Sequence, residues 1–157
     1  IASPFGRIDF VWNPDALGTL ADGTRVSGAV THLEFRRGKV SSVAKSPAAR
    51  MLKKWLAGEI DALLEIPVLQ SGTAFKQEVW NVMRLIPAGT VSSYAELAAQ
   101  TSAPGAVRAA ASTCATNSIP LIVPCHRVIR SDGTIGNYAL GVKLKSELLL
   151  HEGVELL

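Results

Sequence analysis

Cys125, His126 and Arg127 are consecutive, and they carry the clearest chemistry in this chain. A cysteine attacks through its thiolate, and cationic neighbours lower a thiol pKa. The triplet sits in Leu121-Ile122-Val123-Pro124-Cys125-His126-Arg127-Val128. The run before it is short, apolar and β-branched, and Pro124 closes it. It reads as a buried strand or extended segment that delivers the thiol to a proline-fixed bend. A free cysteine is often only a small buried hydrophobe. Burying His126 and Arg127 beside it costs free energy unless both find partners, so the neighbours favour a nucleophile. Cys114 has no such company and reads as packing. No acidic residue occurs between residues 97 and 131, whereas Arg108, Arg127 and Arg130 do. The thiol therefore lies in a positive local field.

The rest of the chain must position this triplet. Its 157 residues suit one compact domain or two small ones, and 48% hydrophobic content is ample for a core. A charged fraction of 18% argues against disorder and coiled coil. No apolar run approaches the ~18 residues of a membrane span. The start, Ile1-Ala2-Ser3-Pro4, shows no signal-peptide pattern and no Met, and is expected to be a trimmed end or the interior of a longer chain. Two cysteines cannot form a disulfide framework, and they and the three histidines lack zinc-ligand spacing. A working free thiol implies a reducing, intracellular compartment.

Residues 6–12 alternate as a strand, 13–27 read as a turn or long loop around Asp22-Gly23, and 30–36 read as a second strand. Gly38 turns the chain into a further apolar stretch at 40–43. Ser46-Pro47 opens a helix in which Met51, Leu52, Trp55 and Leu56 share a face, with Lys53 and Lys54 outward and Gly58 at the end. This half carries no catalytic constellation and is expected to support the other. Residues 65–72 connect the two. Then Phe75, Val79, Trp80, Met83 and Ile86 make one helical face, stopped by Pro87-Ala88-Gly89. Ser93 and Glu96 form a capping box for a helix to about residue 100. Pro104 suits the first turn of the next helix, 106–115, and the pair makes a helix-turn-helix candidate. An ordinary helical hairpin is the alternative. The second helix, Ala106-Val107-Arg108-Ala109-Ala110-Ala111-Ser112-Thr113, offers one long side chain among small ones. That pattern suits close approach to a narrow groove better than major-groove readout. Ser131-Asp132-Gly133 reads as a hairpin turn and Gly136-Asn137-Tyr138 as a flexed loop. Residues 142–151 form a last helix with Leu144, Leu148 and Leu149 inward and Lys143, Lys145 and Glu147 outward.

Pro-Cys-His-Arg-Val, preceded by that helix pair with its lone Arg and followed by Gly-Asn-Tyr and a terminal His-Glu-Gly, resembles the O6-alkylguanine-DNA alkyltransferases. The resemblance is close from Thr73 to Gly153 and weak before it. It implies a mixed α/β (α+β) fold. A small strand-and-helix domain over residues 1–70 would precede a mostly helical domain over 71–157, which holds the helix-turn-helix and the active-site cysteine. It implies DNA repair by direct reversal, with one irreversible transfer per molecule and no cofactor or metal. Cys125 would be the alkyl acceptor, His126 and Glu152 the relay that removes its proton through a water, and Asn117 a brace for the active-site turn. Tyr94 would assist nucleotide rotation and protonate the guanine. Arg108 would fill the vacated space in the duplex, with Ser93, Ala109 and Arg127 also at the DNA. Tyr138, Ala139, Leu140 and Val128 would line the base pocket.

Each role is chemically sensible. A base must leave the stack before a thiol can reach it, a thiol of pKa ~8.5 needs a base near neutrality, and a thioether product does not hydrolyse. Ala139 and Leu140 stand where many members have serine and glycine, which predicts a narrower pocket that prefers methyl to benzyl adducts. The expected partner is double-stranded DNA containing O6-alkylguanine, with O4-alkylthymine as a second candidate lesion. The protein is expected to be a monomer without membrane contact, cytoplasmic and nucleoid-associated or nuclear. Two other readings compete: a cysteine hydrolase or acyl transferase built on Cys125 and His126, and a lesion-recognition module without chemistry.

Overall fold

In the computed structural model, which describes residues 1–40 and 45–156, the chain folds as an antiparallel sheet followed by short helices. The sheet has the order β1 (Ala2–Ser3), β2 (Gly6–Thr19) and β3 (Arg25–Arg36). Residues 13–19 and 25–27, expected as loop, are strand. Their Pro and Gly content marked irregularity within the ladder rather than its absence. The β2–β3 register shifts between Asn13 and Leu17, where Pro14 needs no ladder partner. The turn itself is short: Gly23, with φ +89°, donates to the Leu20 carbonyl, and Asp22 Oδ1 accepts from Thr24 N. Gly28 is required, because a Cβ there would lie 2.5 Å from the Trp12 ring. Val40 lies outside the strands, and residues 41–43 of the expected apolar stretch lie outside the described residues.

Helix α1 (Pro47–Leu56) starts as expected, with Ser46 Oγ accepting from Ala49 N and Leu52 and Trp55 buried. The connector is not free: Val68 exchanges backbone hydrogen bonds with Thr19, and Val30 pairs with Pro67 and Leu69. Helix α2 (Ala74–Arg84) is capped by Thr73 and buries Val79, Trp80 and Met83. After β4 (Ser92–Ser93), α3 (Tyr94–Ala99) and α4 (Val107–Ala115) form the expected pair. Pro104 is not in the first turn of α4; it lies in the connecting turn before the Ala106 cap. Then come a 3-10 turn, Cys125–Arg127, strand β5 (Val128–Ile129) paired in parallel with β4, and α5 (Val142–His151).

The segment expected as a strand before the cysteine is buried but not extended. Leu121 has φ +74°, and Ile122 N, Val123 N and Cys125 N bond to the carbonyls of Pro120, Ile119 and Val123. Pro120 and Pro124 bracket only three residues and lack N–H donors, so a ladder cannot form there. Tertiary burial overrides β propensity. The core is continuous through both halves: Ile8, Val30, Leu33 and Trp55 join the same cluster as Met83, Leu97, Val123 and Leu148.

Candidate active site

The turns at 119–124 set Cys125 at the start of its 3-10 turn, 6% exposed, on the wall of a cavity of about 420 Å3. Ten residues line it: Tyr94 from α3, Ala111, Ser112, Cys114 and Ala115 from α4, and Cys125, Arg130, Asn137, Tyr138 and Ala139 from the later loops. That volume lies in the ~300–1,000 Å3 range of small-molecule sites. The small side chains of α4 thus wall the cavity. A cavity of similar size, about 410 Å3, between Leu20, Asp61, Arg84 and Ile86 contains no thiol.

Asn117 holds the thiol in place. Its Nδ2 donates to the Val123 carbonyl at 2.8 Å and to Cys125 Sγ at 3.4 Å, while its Oδ1 accepts from Ile119 N and from Gln70 Nε2. Gln70 also accepts from Ser118 through Oε1, so the connector braces the same turn. Removing the Asn117 amide leaves buried groups unpaired and strips a donor from the sulfur. Asn117→Ala is expected to cost about 1–3 kcal/mol, read as a denaturant midpoint. It should also slow alkylation of Cys125 by iodoacetamide about tenfold, since one pKa unit is a factor of ten in thiolate.

Behind the thiol lies a closed charge cluster. Glu152, just past α5, accepts His126 Nε2 at 2.7 Å, Arg127 Nε at 2.9 Å, Arg127 Nη2 at 2.6 Å and Trp55 Nε1 at 3.1 Å. Arg127 Nη1 donates to the Ile86 carbonyl. Burial alone would raise the Glu152 pKa, but the hydrogen bonds from Arg127 and His126 prevail and hold it at about 2. Glu152 is therefore a carboxylate, which only accepts. His126 Nε2 must carry the proton, and Nδ1 keeps a lone pair. That nitrogen is buried and has no partner, and burial lowers the His126 pKa against the pull of Glu152. A neutral imidazole with a free lone pair, oriented by a carboxylate, can act as a general base.

The cationic neighbours do not lower the Cys125 pKa below its ordinary value, as the sequence had implied. Burial raises it, and the Asn117 and Tyr138 contacts and the charge of Lys145 offset only part of this. Arg127 is spent on Glu152. The thiol thus rests protonated.

Residues 74–154 match the model of the 6-O-methylguanine DNA methyltransferase, DNA binding domain. The methylated-DNA–protein-cysteine methyltransferase of Shigella flexneri is 40% identical over 119 residues, covering 76% of this chain and 70% of that one. This chain belongs to the 6-O-methylguanine DNA methyltransferase family. The bifunctional transcriptional activator/DNA repair enzyme Ada of Escherichia coli is 49% identical over 92 residues, 59% of this chain but 26% of that longer protein. The crystal structure of Mycobacterium tuberculosis OGT in complex with DNA superposes with a TM-score of 0.74 at 30% identity, over 97% of this chain and 89% of that one.

In this methyltransferase-family chain, Cys125, Asn117, His126 and Glu152 come together as expected, and Tyr94, Tyr138 and Ala139 line the cavity. Arg108 and Ala109 are exposed on α4. Five expectations change. Arg127 is 3% exposed and bonded to Glu152, so it is not free for phosphate. Ser93 is buried, its Oγ accepting from Glu96 N. Val128 is fully buried in β5 and does not line the cavity; Leu140 is 39% exposed and does not line it either. Lys145, expected outward, is fully buried.

Several contributors were not singled out beforehand. Trp55 and Gln70 reach the site from 97 and 47 residues away in sequence, which no local pattern reveals. Cys114, as expected, is buried, with burial driving its pKa up to about 12, but it also lines the cavity. Lys145 left a signal: with Leu148, Leu149 and Glu152 it holds helical phase i, i+3, i+4, i+7.

Proposed function

We propose that Cys125 accepts the alkyl group, taken from O6-alkylguanine in double-stranded DNA after the nucleotide has rotated out of the stack into the 420 Å3 cavity. The family repairs DNA by transferring an alkyl group to a cysteine of the protein itself. Of the two described thiols, Cys125 is the one hydrogen-bonded to Asn117 and followed by a histidine with a buried, unpartnered nitrogen, and this observation carries the assignment.

His126 Nδ1 takes the thiol proton, through a water, while Glu152 holds the ring and stabilises the imidazolium. Sulfur attacks the alkyl carbon, the S–C bond forms and the C–O6 bond breaks. The leaving guanine gains a proton that Tyr94 donates from the cavity wall. The thioether is stable, so each molecule acts once. O4-alkylthymine is the second candidate lesion. With Leu140 outside the cavity and alanine no larger than serine at 139, no lining residue narrows the cavity against benzyl adducts. Residues 1–70 act as a supporting unit for residues 71–157, and the protein works as a monomer in a compartment that keeps thiols reduced.

The test is the mass of the protein after mixing with a duplex containing one O6-methylguanine. The expected result is a gain of one methyl group located on the Cys125 peptide; a gain on Cys114, or none, overturns the assignment. Arg108 is exposed on α4 and suited to fill the hole left by the flipped base. Because flipping costs a few kcal/mol in a duplex and little in a single strand, Arg108→Ala is expected to slow transfer from duplex at least about tenfold. Transfer from single-stranded substrate should stay within about twofold, as read from single-turnover rates.

A further inference from the structure

Tyr94 and Arg130 reach the cavity side by side, and strand register is the reason. Strands β4 and β5 run parallel, with Ser92 opposite Val128 and Ser93 opposite Ile129. The next residues along the two strands are Tyr94 and Arg130, and both line the cavity. Gly136 packs against the pair. A Cβ there would meet Arg130 Cγ at 3.2 Å and Tyr94 Cε2, the ring carbon next to the one that bears the hydroxyl, at 3.6 Å. The bare glycine lets the arginine stem and the tyrosine ring share one face of the loop. The Arg130 backbone is fixed, its N–H donating to the Thr134 carbonyl and its own carbonyl accepting from Gly133 N. Its side chain is exposed, and among the described residues no carboxylate lies within ion-pair distance of it. An uncommitted cation thus sits beside the ring of the proposed proton donor.

We infer that Arg130 is a positioning residue for alkyl transfer: its guanidinium holds the negative charge that Tyr94 acquires when it gives its proton to the departing guanine. The inference rests on Tyr94 being that donor. As the S–C bond forms and the C–O6 bond breaks, the electron pair of the broken bond passes to the guanine. The guanine takes the Tyr94 proton and leaves neutral. The thiol proton is on His126, so the site is left with one imidazolium and one phenolate until solvent exchanges protons with both. Other groups around Tyr94 do not meet this need. Burial and the two thiols, Cys114 from α4 and Cys125 from the 3-10 turn, make the phenol harder to ionise, and Arg130 opposes them. Tyr138, held by burial well above the ordinary tyrosine pKa, stays neutral. Lys145 from α5 lies over the ring, 5.8 Å from its centroid, with its ammonium given to the Ile135 and Asn137 carbonyls. A duplex seated on the rim excludes water, and the Arg130 charge then acts more strongly on the phenolate.

The test compares Arg130→Gln with Arg130→Lys in the whole chain. Single-turnover transfer from methylated duplex is expected to fall roughly tenfold in Arg130→Gln, since one pKa unit is a factor of ten, and to recover most of the way in Arg130→Lys. In a Tyr94→Phe background Arg130→Gln should cause no further loss. The same loss there would make Arg130 a phosphate contact only and overturns the inference. Iodide leaves iodoacetamide without a proton, so alkylation of Cys125 by that reagent should be unchanged in Arg130→Gln. A matching loss overturns the inference by placing the effect on the sulfur. A readout without DNA covers a variant that binds duplex poorly. The chain has two tyrosines, Tyr94 and Tyr138. In protein labelled with 13C-tyrosine, the Tyr94 titration midpoint should rise in Arg130→Gln and stay in place in Arg130→Lys; an unmoved midpoint in Arg130→Gln overturns the inference. If Tyr94→Phe alone transfers methyl at the full rate, the donor reading fails separately, because the titration needs no transfer.

Discussion

Cys125→Ser is expected to end alkyl transfer while leaving the fold intact. The physical reason is the charge state of the nucleophile. A thiol is far more acidic than an alcohol, so a neutral imidazole can take its proton where it cannot take that of a serine hydroxyl in the same buried place, and oxygen is the poorer nucleophile toward an sp³ carbon. Loss of a nucleophile typically costs ~10⁴-fold or more. The volume change is small, and the Asn117 amide that bonds the sulfur can donate to the hydroxyl, so the cost in stability should stay near 1 kcal/mol. Single-turnover transfer with intact mass measures the first, and a denaturant midpoint the second. Residual methyl transfer by the serine variant would defeat the assignment of Cys125.

Glu152→Ala is expected to be the most destabilising single change in the site. It leaves the Arg127 guanidinium buried with only the Ile86 carbonyl, and leaves the Trp55 indole N–H and His126 Nε2 unpaired. Removing one partner of a buried ion pair costs roughly 3–5 kcal/mol, a large part of the ~5–15 kcal/mol that holds a domain together. Activity should fall with it, because His126 loses the group that fixes its tautomer. The pH dependence follows from the same cluster. The folded pKa of about 2 lies below the ordinary carboxylate value, so Glu152 stabilises the fold fully above about pH 5. That contribution, about 3 kcal/mol, disappears as the pH falls from about 4.5 toward 2. Glu152→Gln should accordingly differ most from the unmodified protein at neutral pH, and the gap between their denaturant midpoints should close below about pH 3. A gap independent of pH would show that the carboxylate charge contributes nothing.

The sequence made the candidate nucleophile, its neighbours and two helix caps legible because each rests on residues within a few positions of one another. Ser46 and Ser93 cap their helices with their own side chains, and such local chemistry needs no tertiary information. The Pro-Cys-His-Arg-Val stretch likewise announced the family. Where the reading failed, long-range burial had the deciding influence. Residues 119–124 look like a strand by composition, yet two prolines and the demands of the site wind them into turns. Residues 13–27 look like a loop, yet pairing across a tight turn extends both strands through most of them.

The amino-acid order by itself therefore determined which thiol has charged neighbours, which helices form and which family the chain joins, since all of these depend on contacts near in sequence. Only the tertiary structure decided how charge is distributed around the thiol. It placed Arg127 and Lys145 inside rather than on the surface, spent the first on Glu152, and brought Trp55 and Gln70 to the site across 97 and 47 residues. The reason is that the sign of a side chain is written in the sequence, while the dielectric and the partner that set its effect exist only once the chain has packed.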